Sequence, residues 1–319
     1  MLLRSAFAAV VVCCAATVSA APAQAAPGFA DAVLGRWNLT VTGKDGVQYP
    51  SWFDIRLRKE TELMATMVGR FGSARHATEV SYQGGKLVLR VPRQYEKDTA
   101  DLIFDGMAAG ERMSGTTVDE DGIALSWTAQ RAPALPRKAG QRWSRPVELF
   151  NGRNLDGWRA QQPATQPCWK VERGVLTNSA ACTNLISDTL LGDFKLRMEF
   201  MSVAGGNSGV YLRGRYEVQL GDAYGAPPDP LRMGAVYGHL RPTSNASRKP
   251  GEWQVLEVAL SGRFVTVTLN GVVVIEQQEI PGITGGALDS READKGPLML
   301  QGDHTPIMIR KISVARAVE

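Results

Sequence analysis

Short runs of alternating apolar and polar residues cover almost the whole chain, and helical spacing is hard to find. The clearest run puts Phe194, Leu196, Met198 and Phe200 on one face and Lys195, Arg197 and Glu199 on the other. Successive side chains of a strand point to opposite faces, so this pattern predicts a half-buried strand. Similar runs predict strands at residues 36–41, 52–57, 63–68, 78–82, 87–91, 101–104 and 123–129. Gly43-Lys44-Asp45-Gly46, Gly84-Gly85 and Asp119-Glu120-Asp121-Gly122 separate them and tolerate positive φ. So many short strands in about 100 residues predict a small up-and-down β-barrel over residues 31–131.

Residues 132–145, rich in Pro, Lys and Arg, read as a stiff linker. From residue 146 to 319 the strand pattern resumes, with an Asn270-Gly271 hairpin signal and a turn at Glu172-Arg173-Gly174. About a dozen strands here predict a two-sheet jelly-roll sandwich. The chain is therefore read as all-β, a barrel followed by a sandwich. Residues 222–251 interrupt the second pattern, and an excursion of this length is a functional lid, a binding loop or disorder.

Within residues 205–220, alternation puts Val210, Leu212, Tyr216, Val218 and Leu220 on a buried face. It leaves Tyr211, Arg213, Glu217 and Gln219 on a polar face. A phenol, a guanidinium, a carboxylate and an amide together suit a polar ligand such as a sugar.

A chain of 319 residues exceeds what one core usually supports, in line with two domains. The net charge of +4 comes from 36 basic and 32 acidic residues, well mixed. Without a basic stripe interleaved with aromatics, nucleic acid is discounted as a partner. Arg4 precedes an apolar run from Ala6 to Val18, followed by Val18-Ser19-Ala20 and Ala23-Gln24-Ala25. This reads as a secretory signal peptide over residues 1–25, and no later segment has the length of a transmembrane span. The expected location is periplasmic or secreted. Beyond that segment only Cys168 and Cys182 remain, either one disulfide or two buried thiols. A disulfide over so short a loop stabilises by about 3 kcal/mol in the chain-entropy model.

Gly35-Arg36-Trp37 on the first strand resembles the Gly-x-Trp signature of lipocalin-like barrels. That resemblance implies an indole plugging one barrel end under a last-strand arginine, here Arg131; the alternative is a plain core tryptophan. In the second domain the carrying motifs are Leu155-Asp156-Gly157-Trp158, Gly206-Asn207-Ser208-Gly209-Val210-Tyr211-Leu212-Arg213 and Tyr216-Glu217-Val218-Gln219. Gly234-Ala235-Val236-Tyr237-Gly238, Gly251-Glu252-Trp253 and Gln301-Gly302-Asp303-His304 follow in order. This domain resembles the 3-keto-disaccharide hydrolase domain family, which implies a concanavalin-like jelly-roll. Two departures stand out: only Gly214 and Arg215 separate Arg213 from Tyr216, and Gly302 is inserted before Asp303.

The resemblance implies cleavage of glycosides already oxidised at C3, with an oxidised glycoside or another carbohydrate as partner. A C3 ketone acidifies the C2 proton, so a base removes it and the aglycone leaves by β-elimination, with or without rehydration. Glu217, His304, Arg213 and Tyr237 are the catalytic candidates, with Asn207, Tyr211, Gln219 and Asp303 as substrate contacts. Each also has a plainer reading: a surface ion pair for Glu217 and Arg213, a loop histidine for His304, core packing for Tyr237. Glu217 and His304, with Asp303 and Asn207 nearby, offer donors for Ca²⁺, Mn²⁺ or Zn²⁺. The competing function is a non-catalytic, lectin-like carbohydrate-binding protein, because the fold hosts both.

Overall fold

The structure is a computed structural model that describes residues 30–59, 62–95, 101–118, 122–162, 168–179 and 182–318. The signal-peptide segment and turn residues 119–121 lie outside them. The N-terminal part comprises β1 (Gly35–Thr42), β2 (Gln48–Lys59), β3 (Glu62–Val68), β4 (Arg75–His76), β5 (Glu79–Gln83), β6 (Lys86–Val91), β7 (Leu102–Ala109), β8 (Arg112–Val118) and β9 (Ala124–Arg131). They form one antiparallel sheet ordered β4-β3-β2-β1-β9-β8-β7-β6-β5, which curls until β3 touches β5.

Alternation fixes the inner face: Trp37, Leu39 and Val41 of β1 and Leu125, Trp127 and Ala129 of β9 are buried in its core. Trp37 donates its indole N–H to the Val33 carbonyl at 2.8 Å, and the Arg131 guanidinium lies 4.4 Å over its ring. Strand β8 escapes the sequence pattern because its sequence is polar and contains Gly115. The reason is steric. Gly115 faces Gly106 on β7, where an added Cβ would strike the Trp127 ring at 2.3 Å. The glycine pair makes room for that indole, a close approach typical of strand glycines.

The C-terminal part comprises β10 (Arg142–Trp143), β11 (Val147–Glu148), β12 (Trp158–Ala160), β13 (Trp169–Glu172), β14 (Val175–Asn178), β15 (Leu185–Leu191), β16 (Phe194–Ser202) and β17 (Asn207–Leu212). Then come β18 (Tyr216–Gly221), β19 (Gln254–Ser261), β20 (Phe264–Leu269), β21 (Val272–Glu279), β22 (Gly296–Leu300) and β23 (Ile307–Val318). One sheet runs β13-β14-β23-β16-β19-β20-β21, with β10 and β11 added along β23; the other runs β12-β15-β22-β17-β18. Their apolar faces share one core, with Leu196, Met198 and Phe200 from the first sheet and Val210, Val218 and Leu300 from the second. A disulfide joins Cys168 to Cys182, with Cα atoms 5.6 Å apart.

The segment read as a linker is laid along the second part. Arg263 N–H donates to the Leu135 carbonyl at 3.0 Å, and Arg142–Trp143 is already paired with β23. Strand β2 is buried on both faces from Pro50 to Ile55: Phe53 and Ile55 enter the N-terminal core, while Trp52 joins the sandwich core with Val68 of β3. Gly282 lies so close that an added Cβ would meet Trp52 Nε1 at 2.2 Å. Arg36 pairs with Glu279, and Asn38 donates to the Ser290 carbonyl at 2.8 Å. Among the described residues no helix is long and apolar enough to cross a membrane.

Because Trp52 fills a core built by the other part, Trp52→Ala is expected to cost about 3–5 kcal/mol. In chemical denaturation followed by both near-UV circular dichroism and fluorescence, the single transition should split into two. An unchanged midpoint with coincident probes would contradict this packing.

Candidate active site

Strands β17 and β18 pair in the register Asn207↔Gly221, Gly209↔Gln219 and Tyr211↔Glu217. Alternation therefore gathers Asn207, Tyr211, Glu217 and Gln219 on the face turned away from the sandwich core. Asn207 and Gln219 hold each other, with Gln219 Nε2 donating to Asn207 Oδ1 at 2.7 Å. This outer face is not open, because Tyr211, Ile186 and Met299 pack under Leu288.

Arg213 departs from the expected face. It and Gly214 take φ of 54° and 69°, and Arg215 N–H closes the turn on the Leu212 carbonyl at 3.1 Å. Both central residues of the turn from Leu212 to Arg215 have positive φ, as in a type I′ turn, and the three residues between the paired Leu212 and Tyr216 break the alternation. The Arg213 guanidinium lies 5.3 Å over the Tyr216 ring and donates to the Gly262 carbonyl at 2.8 Å, on the opposite side from Glu217. There Tyr216 donates to Glu292 Oε1 at 2.8 Å, and Arg263 grips both oxygens of fully buried Glu292 at 3.0 and 2.7 Å. Together with Arg215–Asp289 at 2.8 Å, this network anchors the loop at residues 284–294 across the outer face. The catalytic expectation for Arg213 is corrected accordingly: it holds a turn.

Glu217 is held from all sides. Its N–H donates to Thr284 Oγ1 and its carbonyl accepts from Tyr237 N–H, both at 3.0 Å. Its carboxyl leans over Gly209, where an added Cβ would meet Oε1 at 2.2 Å. The side chain is nearly inaccessible, and burial pushes its pKa up to about 8 from the usual 4.5. The Tyr211 hydrogen bond and the charge of His304 oppose that rise, and Asp303 adds to it. The Tyr211 hydroxyl lies 3.0 Å from Glu217 Oε2 and 2.9 Å from the Gly285 carbonyl oxygen. A phenol has one proton to give, and the Gly285 carbonyl can only accept. A protonated Glu217 resolves the pair by donating to Tyr211, which donates onward to Gly285.

His304 and Asp303 are half-exposed and joined at 2.7 Å between Nδ1 and Oδ1. Asp303 raises the His304 pKa above its ordinary value, burial lowers it, and Glu217 raises it further. The inserted Gly302 sits in a tight place beside the histidine loop. It packs against Trp169 and Thr183, where any Cβ would come within 2.5–3.0 Å. Tyr237 reaches the site because residues 234–237 run beside β18, with Gln219 N–H donating to the Ala235 carbonyl at 3.0 Å. The excursion at 222–251 is thus fastened to the sheet edge. Burial, the neighbouring Tyr95 and the charge of Glu217 all raise the Tyr237 pKa, so its hydroxyl stays protonated.

Gln301, quoted in the sequence only as part of a motif, belongs to the same face. Its N–H donates to the Gly209 carbonyl at 2.9 Å, and its Oε1 is buried without a hydrogen-bond partner among the described residues. Thr284, Gly285 and Gly286 were also missed, although the Gly-Gly pair was a readable signal of close approach. Among the described residues no group of three His, Cys, Asp or Glu is gathered closely enough to hold a metal ion. Trp158 and Trp169 are core residues, and Trp253 lies under the Arg310 guanidinium.

Residues 145–315, more than half of the chain and inclusive of every residue of this site except Tyr95, match the 3-keto-alpha-glucoside-1,2-lyase-like domain. The chain belongs to that family. It is a carbohydrate-active enzyme of the hydrolase or lyase type. Among solved structures, it is similar to two from Parabacteroides distasonis ATCC 8503, each described as a "putative glycosyl hydrolase". The first is 27% identical over 57% of this chain and 93% of that one, with a TM-score of 0.47. The second is 21% identical over 55% and 94%, with a TM-score of 0.44. A redesigned β-barrel is 15% identical over 33% of this chain and 96% of that one, with a TM-score of 0.28. Comparison with curated proteins gave no match.

The raised Glu217 pKa has a signed consequence for this lyase-like domain. Between about pH 4.5 and 8 the folded chain keeps a proton that the unfolded chain releases, so stability falls as pH rises through that window. Glu217→Gln removes the titration. Its stability relative to the parent is expected to grow by on the order of a few kcal/mol from pH 5 to pH 8. Urea unfolding at both pH values reads this, and a difference independent of pH would contradict it.

Proposed function

We propose that the protein cleaves 3-keto-glycosides by C2 proton abstraction and β-elimination, with water then adding to the enone in the hydrolytic outcome. The observation that carries this reading is the pairing of a buried, proton-retaining Glu217 with an Asp303-oriented His304 within electrostatic reach. Two titrating groups pushed to opposite roles are what an acid–base pair needs. The sandwich is read at finer grain as a concanavalin-like jelly-roll, and the N-terminal sheet as lipocalin-like from Trp37 under Arg131. The signal-peptide reading of residues 1–25 makes the site periplasmic or secreted.

In this reading His304 Nδ1–H donates to Asp303, leaving Nε2 to take the C2 proton. The C2–H electrons form the enolate, whose C3 oxygen accepts a hydrogen bond from the Tyr237 hydroxyl. Collapse of the enolate restores the C3 ketone, forms the C1–C2 double bond and breaks the bond from C1 to the leaving oxygen. Glu217 gives its proton to that oxygen. Water adding at C1, with a proton returned to C2, completes net hydrolysis. Gln301 Oε1 and the Asn207–Gln219 pair offer hydrogen bonds to the sugar hydroxyls.

Methyl 3-keto-glucoside incubated with the protein in D₂O is expected to release methanol and acquire deuterium at C2. Glu217→Gln and His304→Ala should each lower kcat by about 10²–10⁴-fold, the usual range for a positioned acid or base. The kcat/KM profile should be bell-shaped, its alkaline limb near the Glu217 pKa of about 8. Asp303→Asn should move the acid limb to lower pH, because Asp303 is the main group raising His304. Binding without turnover in the parent protein would leave the lectin-like reading in its place.

A further inference from the structure

The match to the family begins only at residue 145, yet the N-terminal domain reaches the site. Gly286 N–H donates to the Arg70 carbonyl at 2.9 Å. Gly285 lies so close to Gly72 that an added Cβ would stand 2.2 Å from its carbonyl oxygen. Gly286 in turn lies against the Tyr211 hydroxyl, which neighbours Glu217. A Cβ on Gly238, next to Tyr237, would strike Ser73 and Ala74 at 2.7 Å. Glycines on both sides of the interface thus let the loops at residues 70–75 and 92–95 close against both flanks of Glu217.

Those loops carry two large aromatic residues with most of their surface exposed, Phe71 at 60% and Tyr95 at 64%. Tyr95 is fixed at the site's edge: its hydroxyl is 3.5 Å from that of Tyr237, and its ring lies on Gly72, 3.1 Å from where a Cβ would be. A flat ring held beside acid–base chemistry, with its surface accessible, fits the flat face of another ring.

We propose that Tyr95 forms the leaving-group wall of the site and selects glycosides whose leaving group is itself a ring, a second sugar or an aryl group. The N-terminal domain then supplies specificity that the lyase-like domain does not contain. This inference rests on the reading of Glu217 and His304 as the bond-breaking pair.

The experiment compares kcat/KM for methyl, phenyl and glucosyl 3-keto-glucosides in the full chain and in Tyr95→Ala and Tyr95→Phe. Thermal midpoints check that each variant is folded. Tyr95→Ala is expected to lower the ratio of ring-bearing to methyl substrate about fivefold or more, a loss in the range of one aromatic contact. Tyr95→Phe, which keeps the ring, should preserve the ratio. The arm that falls, phenyl or glucosyl, identifies which ring the wall receives. An unchanged ratio in Tyr95→Ala overturns the proposal, as does a loss in Tyr95→Phe equal to that in Tyr95→Ala. If the parent protein turns over none of the three, the reading of Glu217 fails. The same ratio, measured as Kd by calorimetry, then decides the wall: a preference for ring-bearing ligands lost in Tyr95→Ala supports it, and no preference or no binding overturns it.

Discussion

A carboxyl group taken out of water governs this structure. Glu217 sits on the outer face of a two-strand hairpin, where a side chain would ordinarily meet solvent, and the loop at residues 284–294 covers it. Isolating a carboxylate is expensive, so the group keeps its proton to about pH 8. Everything around it follows from that requirement. Gly209 leaves space for the carboxyl, Tyr211 gives it a partner, and Thr284 and Tyr237 fix its backbone. In the proposed reaction that proton is the one given to the leaving oxygen.

The covering loop needs its own support, and two other features provide it. On the core side, Glu292 is locked by Arg263 and Tyr216, a buried charge fully matched by hydrogen bonds. On the outer side, the N-terminal sheet presses on the loop through Trp52 at Gly282 and through Gly72 at Gly285. The barrel-like domain and the sandwich therefore share a core, and the interface between them runs up to the face that carries Glu217. Folding of one part and geometry of the other are linked through these few glycine contacts.

Much of this was legible from residue order alone. The alternation of Phe194 to Phe200 gave the right buried face, and of the four residues expected on one polar face of the hairpin, Tyr211, Glu217 and Gln219 share it, joined by Asn207 in place of Arg213. Arg213 failed because a positive φ reverses a side chain, and nothing in an alternation pattern shows where a hairpin turns. Strand β8 failed because Gly115 and Gly106 serve a neighbour's indole and not their own propensity. The burial of Glu217 was not readable, since the residues that cover it lie about 70 positions away in sequence. Tyr95 is farther still, 142 positions from Tyr237, and no local pattern marks a residue that acts across a domain boundary.

The direct test is the titration of one carboxyl. With ¹³C introduced at the glutamate side-chain carboxyls and Glu217 assigned by its loss in Glu217→Gln, its resonance can be followed from pH 4 to pH 10. A buried, proton-retaining Glu217 gives a midpoint near 8, with the group still largely protonated at neutral pH. A midpoint in the ordinary carboxylate range would mean that the site is wet and ionised, and the acid role of Glu217 would be lost.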